Sequence, residues 1–143
     1  MRLLSKVSFI VVHCADTKSS MHVTVSDLRN WHTLPKPKGN GWSDIGYHYF
    51  IKFDGTTHNC RDNKYQGAHC KAVNSKSLAI CLEGGYGGID NFTEIQKHSL
   101  ACLIAELKEK HNKNAEVVGH SHFDDKKCPS FNVVEWHEDF ISE

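Results

Sequence analysis

Val7-Ser8-Phe9-Ile10-Val11-Val12-His13 places the centre of a sheet near the start of the chain. Phe9 to Val12 are apolar at consecutive rather than alternate positions, so the run reads as a strand covered on both faces and therefore central to a sheet. It ends in the polar stretch His13-Cys14-Ala15-Asp16-Thr17-Lys18, which predicts that the strand opens into a cleft at His13. A second run, Glu116-Val117-Val118-Gly119, delivers His120, and Cys128-Pro129-Ser130 follows eight residues after it. Two imidazoles and a thiolate suit zinc. Three protein ligands leave one tetrahedral position open, which separates catalytic zinc from structural zinc. If the three meet in space, the chain is a zinc hydrolase. Each signal alone has an ordinary alternative. A lone histidine at a strand end is more often a packed residue, and Cys128 suits a small buried hydrophobe. His122 would share the strand face of His120, and spacing does not choose between them.

Working outward, Thr24-Val25-Ser26-Asp27 reads as a capping box opening a short helix through about Trp31, with Trp31 in the core beside Leu28. Thr33 to Gly41 carries prolines and glycines and reads as a loop, a candidate rim of the cleft. Tyr47 to Phe53 alternates like a strand, and Asp54-Gly55 signals a hairpin that returns through Thr56-Thr57-His58. Ser77 to Glu83 is a further strand, ended by Gly84-Gly85. Thr93-Glu94-Ile95-Gln96 caps the longest helix, which runs to about Lys110 with the stripe Leu100, Leu103, Ile104 and Leu107. A strand near 115–119 and a helix near 133–141 complete the pattern. The expected fold class is α/β: a single domain over 1–143 with a central mixed β-sheet flanked by helices. Trp42 and Tyr49 offer aromatic faces for sugar rings or a peptide, although such residues are more often core.

The composition sets bounds. A chain of 143 residues, 39% hydrophobic, suits one globular domain. Its 17 basic and 17 acidic residues balance, so no basic surface points to a nucleic-acid partner. Eleven histidines are many for this length, but abundance alone indicates no metal. Met1 to Lys6 resembles the start of a signal peptide, yet the apolar run after it is too short, so no signal peptide is expected. No stretch is long enough to span a membrane. The six cysteines lack regular paired spacing, and five remain if Cys128 holds metal, an odd number that favours reduced thiols over a disulfide framework.

Several motifs fall in a familiar order. They are His13-Cys14, Trp42 to Ile51 with Asp54-Gly55-Thr56, Gly67-Ala68-His69, Asn74 to Leu82, Gly119-His120, and Lys126-Lys127-Cys128-Pro129-Ser130-Phe131. Over nearly the whole chain they resemble the zinc-dependent N-acetylmuramoyl-L-alanine amidases related to peptidoglycan recognition proteins. The resemblance implies that family's fold and one zinc ion per chain, held by His13, His120 and Cys128, and it favours His120 over His122. It assigns catalytic roles to Tyr47 and to Lys126, two residues before the ligand cysteine; Lys127 is out of register. It places His69 and Asn74 along the substrate groove. Zinc would acidify water to a pKa of roughly 7, Lys126 would stabilise the oxyanion, and Tyr47 would hold the water or carbonyl and assist proton transfer. One position departs from the pattern. Some relatives carry a general-base glutamate where this chain has Cys81, and Glu83 is out of register, so the general base stays open.

The resemblance implies a phage or prophage endolysin with peptidoglycan as substrate, synthesised in the host cytoplasm and released through a holin. The absence of a coiled-coil seam suggests a monomer. Three other readings compete. A non-catalytic recognition domain on the same fold typically lacks the ligand cysteine, which is present here. A phage relative also inhibits its phage RNA polymerase, an activity that can coexist with the enzyme, but the short N-terminus gives it no positive support. A cysteine hydrolase would place its nucleophile at a helix N-terminus, which Cys-Pro-Ser in a loop fits less well.

Overall fold

A computed structural model describes residues 1–141. The opening run forms β1 (Phe9–Cys14), followed by α1 (Val25–Thr33), β2 (Tyr49–Ile51), β3 (Thr57–Asn59), β4 (Ser77–Leu82), α2 (Glu94–Lys110), β5 (Glu116–Gly119) and α3 (Val133–Ile141). The five strands make one sheet in the order β3-β2-β4-β1-β5. β1 lies inside it, parallel to β4 on one side and to β5 on the other, as its unbroken apolar run predicts. β2 is also parallel to β4, and only β3 runs antiparallel, so the sheet is mixed.

The hairpin falls where Asp54-Gly55 predicts it. Lys52 N–H donates to Thr56 O and Gly55 N–H donates to Lys52 O, so the connection is the three residues Phe53-Asp54-Gly55. Gly55 takes φ +85°, the left-handed position that such a loop assigns to glycine.

The strand faces divide the molecule. Ile10, Val12, Ile51, Leu78, Ile80, Leu82 and Val117 face Leu100, Leu103, Ile104 and Leu107 of α2, with Val133 of α3. Each buried Leu or Ile is stabilised by about 1.5–3 kcal/mol, more than the ~1 kcal/mol of a helix cap. Packing therefore holds α2, while the capping box of Thr93 and Gln96 sets where it begins. Gln96 is fully buried and its Nε2 donates to Ile51 O and Glu83 O, which ties the helix start to the ends of β2 and β4.

On the opposite face, Phe50 and Cys81 pack against Val23, Leu28 and Ile45, and Val11 and Val118 pack against Cys70 and Val73. α1 starts at the predicted capping box, Thr24 with Asp27. Trp31 corrects the sequence expectation: it is 39% exposed, and Leu28 alone of this helix is buried. The nine-residue helix meets the sheet through Leu28, and His32 in its last turn lines the cleft. The following loop folds back on its end, with Asn40 N–H donating to Trp31 O and Trp42 N–H to His32 O.

Candidate functional site

β1 carries His13 at its C-terminal end on the face away from α2, where it is 1% exposed. β5 ends at Gly119, and His120–His122 form a 3-10 turn. The turn breaks the strand periodicity that would have put His120 and His122 on one face. His120 is turned inward, 7% exposed, with its ring centroid 4.5 Å from that of His13, while His122 is exposed and packs edge-on against Phe123. Gly119 permits the third approach: a Cβ there would lie 2.9 Å from Pro129 Cδ, so only glycine lets the Cys128-Pro129 loop close over the strand end. One donor atom each from His13, His120 and Cys128 lies within 4.8 Å of the others.

Hydrogen bonds fix which atom His13 offers. The Ser77 hydroxyl donates to Val73 O (2.7 Å) and therefore accepts from His69 Nε2 (3.0 Å). His69 Nδ1 is then the acceptor for His13 Nε2–H (2.8 Å), which leaves the lone pair of His13 on Nδ1. Burial, with His69, His120 and Lys126 adding to it, holds the His13 pKa well below its ordinary value. Burial likewise lowers His69 to about 3. Both rings are neutral at pH 7, as a ligand imidazole must be. Cys14 N–H donates to Cys128 Sγ (3.1 Å), an arrangement suited to a thiolate. The Cys14 thiol hydrogen bond and then burial push the Cys128 thiol up, so a bound cation would be needed to displace its proton. Two buried imidazoles, one sulfur and an open fourth side fit zinc.

The donors floor a cleft of about 580 Å³ that also holds Tyr47, Lys126, Lys127 and Trp42. A second lobe of about 510 Å³ shares Trp42, His69, His120 and Lys126 and adds Asn74. Tyr47 precedes β2, with its ring centroid 5.1 Å from that of His13 and its hydroxyl bonded to the Cys81 thiol. Burial, then the neighbouring thiols of Cys81, Cys128 and Cys14, push its phenol well above the ordinary value, so it stays a proton donor. Lys127, ranked below Lys126 because it is out of register with the family motif, lines the main cleft beside it.

His69 and Asn74 lie in the cleft wall, where hydrogen bonds engage both His69 ring nitrogens and the Asn74 side-chain oxygen. Both His69 nitrogens are bonded as above, and Asn74 Oδ1 accepts from His69 N–H (3.0 Å) and Cys70 N–H (2.9 Å). Neither Cys81 nor Glu83 is a free base. Cys81 is fully buried, and burial pushes its thiol well up. Glu83 accepts from Val23 N–H (2.8 Å) on one oxygen and from Phe53 N–H (2.9 Å) on the other. Trp42 is 38% exposed on the rim, edge-on to His32. Tyr49 instead accepts from Asn63 and packs against the α2-side core. Sequence reasoning missed Ser77, the Cys14 amide and Asp124, whose carboxylate meets His120 Nε2 at 2.5 Å. The four-residue spacing of His120 and Asp124 was visible, but it lies in a loop without periodicity.

Comparison with known proteins gives a consistent picture. The family described as N-acetylmuramoyl-L-alanine amidase matches residues 3–131. The chain is similar to the endolysin of Klebsiella phage KP32, 39% identical over 137 residues that cover 93% of this chain and 87% of the relative. It is 41% identical over 133 residues to the endolysin of Escherichia phage T7, covering 90% of this chain and 84% of the relative. Among solved structures, the N-acetylmuramoyl-L-alanine amidase LysC from Clostridium intestinale URNW superposes with a TM-score of 0.81 at 26% identity, covering 96% of this chain and 86% of that one.

Proposed function

The chain belongs to the N-acetylmuramoyl-L-alanine amidase family, and on that premise we propose that it hydrolyses peptidoglycan as a zinc enzyme. The bond cleaved is the amide joining the lactyl group of N-acetylmuramic acid to L-alanine. The observation that carries this reading is the convergence of His13, His120 and Cys128 at the floor of an open cleft. Zinc held by these three would polarise the scissile carbonyl and acidify the attacking water.

The chain's own residues do the rest. Tyr47, kept protonated by burial, holds the attacking water or the carbonyl oxygen through its hydroxyl. The Lys126 ammonium, at the junction of the two lobes, stabilises the charge that develops on the carbonyl oxygen. With Cys81 protonated and Glu83 engaged by two amides, the proton released by the water would reach the departing L-alanine amine through bulk water or through the Tyr47 hydroxyl, which passes on its own proton as it takes one up. Trp42 on the rim offers a face to a sugar ring or the stem peptide. Asn74 holds the 69–70 backbone that forms the wall, a supporting role for the groove. The endolysin relatives support a role in opening the host wall at lysis; release through a holin is the route this reading proposes.

Digestion of purified peptidoglycan, with products identified by mass spectrometry, tests the reading. Free stem peptides beginning with L-alanine are expected, lost on chelation and restored by zinc. No cleavage by folded, zinc-loaded protein would turn the assignment to a non-catalytic wall-binding domain.

A further inference from the structure

We propose that Asp124 is a positioning residue for the metal centre, holding His120 in the one tautomer that offers Nδ1 to the ion. The inference rests on His13, His120 and Cys128 being that centre.

Asp124 Oδ2 lies 2.5 Å from His120 Nε2, a charge-assisted contact. The imidazole is nearly enclosed, with 8% of its side chain exposed, whereas the carboxylate is 44% exposed and keeps part of its hydration. The turn itself sets this geometry, because Asp124 N–H donates to His120 O (3.2 Å) and Phe123 N–H donates to the same oxygen (3.1 Å). The Cys70 thiol donates to the same carboxylate oxygen at 3.9 Å. Burial pushes that thiol up, so it remains a donor. A carboxylate is only an acceptor, so Nε2 must carry the proton of this contact, and Nδ1 is the nitrogen left to offer a lone pair to the ion.

The two histidines are thus fixed by different devices. His13 leans on a neutral chain of imidazole, hydroxyl and carbonyl, through His69, Ser77 and Val73. His120 leans on an anion, which also makes its ring a stronger electron donor to the metal. A rival arrangement exists at the same place. Cys70, His120 and Asp124 also have donor atoms within 4.8 Å of one another, so they could hold an ion of their own. That ion would need His120 Nε2 stripped of its proton and shared with the first centre. The single hydrogen bond is the simpler use of the same atoms.

Two measurements on the full chain test the proposal: zinc affinity by competition with a chromophoric chelator, and imidazole 15N shifts in the zinc-free protein. The wild-type chain is expected to bind one zinc and to show His120 protonated at Nε2. In Asp124→Ala the dissociation constant for zinc rises 10–100-fold and the His120 ring becomes a mixture of tautomers. The zinc-free melting temperature changes little, because Asp124 lies exposed in a loop. Asp124→Asn keeps an acceptor without the charge and loses less affinity than Asp124→Ala. Unchanged affinity and tautomer in Asp124→Ala would overturn the proposal. So would binding of two zinc ions by the wild type, falling to one in both Cys70→Ser and Asp124→Ala. A wild type that binds no zinc removes the metal centre itself, an outcome distinct from a zinc-binding wild type that is indifferent to position 124.

Discussion

Tyr47 and Lys126 differ in how their chemistry is set. Tyr47 is half-buried against Val23, Leu28, Ile45 and Phe50, so its ring packs while its hydroxyl stays at the site. Tyr47→Phe keeps the packing and removes the hydroxyl. A fall in kcat of about 10²–10⁴, the usual contribution of a proton-transfer group, is expected with zinc stoichiometry unchanged. Activity like the wild type would remove Tyr47 from the mechanism. Lys126 is exposed, and in the proposed mechanism it acts by charge. Lys126→Ala should lower kcat by about 10²–10³ with little change in KM, because the charge it stabilises exists only in the transition state. A steady-state comparison with Lys127→Ala separates the two lysines: the neighbour is expected to matter less.

At the scale of elements, the end of β4 is a junction. Glu83 follows the strand and is 1% exposed, and its two oxygens anchor Val23, just before α1, and Phe53, in the β2–β3 hairpin. Its carbonyl accepts from Gln96 of α2. One residue therefore fastens three elements around the sheet, two through its carboxylate and α2 through its backbone carbonyl. Glu83→Ala strands two amides, each costing about 1–3 kcal/mol. Urea unfolding should show that loss, while zinc binding and activity per folded molecule persist, because Glu83 lies outside the cleft lining. A variant that is stable but inactive would instead mark Glu83 as the missing base.

At the scale of the whole molecule, buried neutral histidines couple folding to pH. His48 is 1% exposed, accepts from Ala79 N–H through Nδ1 and donates from Nε2 to Tyr65 O. Burial lowers it from 6.5 to about 4, and burial lowers His69 to about 3. Both groups take up protons more readily in the unfolded chain. Their contribution is complete above pH about 6.5 and is lost progressively as pH falls toward the folded values, by about 1.4 kcal/mol per pH unit for each histidine. Unfolding free energies of the zinc-free protein should therefore decline between about pH 6 and 4.5. A flat profile there would show that these rings are charged in the folded state.

Elements whose signals are local are legible without the fold. The consecutive apolar run of β1, the capping boxes at Thr24 and Thr93, the Asp54-Gly55 turn and the α2 stripe all lie within one element each, and all form as read. The family motifs marked His13, His120 and Cys128 in advance. Tertiary structure alone decided the rest, since those outcomes depend on partners far apart in the chain. His13 and His69 are separated by 56 residues, and Cys14 and Cys128 by 114. Ring tautomers follow from which distant atom accepts, and no local pattern encodes that. Trp31 lies outside the core because the sheet offers α1 only a narrow contact, and His120 parts from His122 because the chain leaves the strand to turn where Pro129 and α3 close over Gly119.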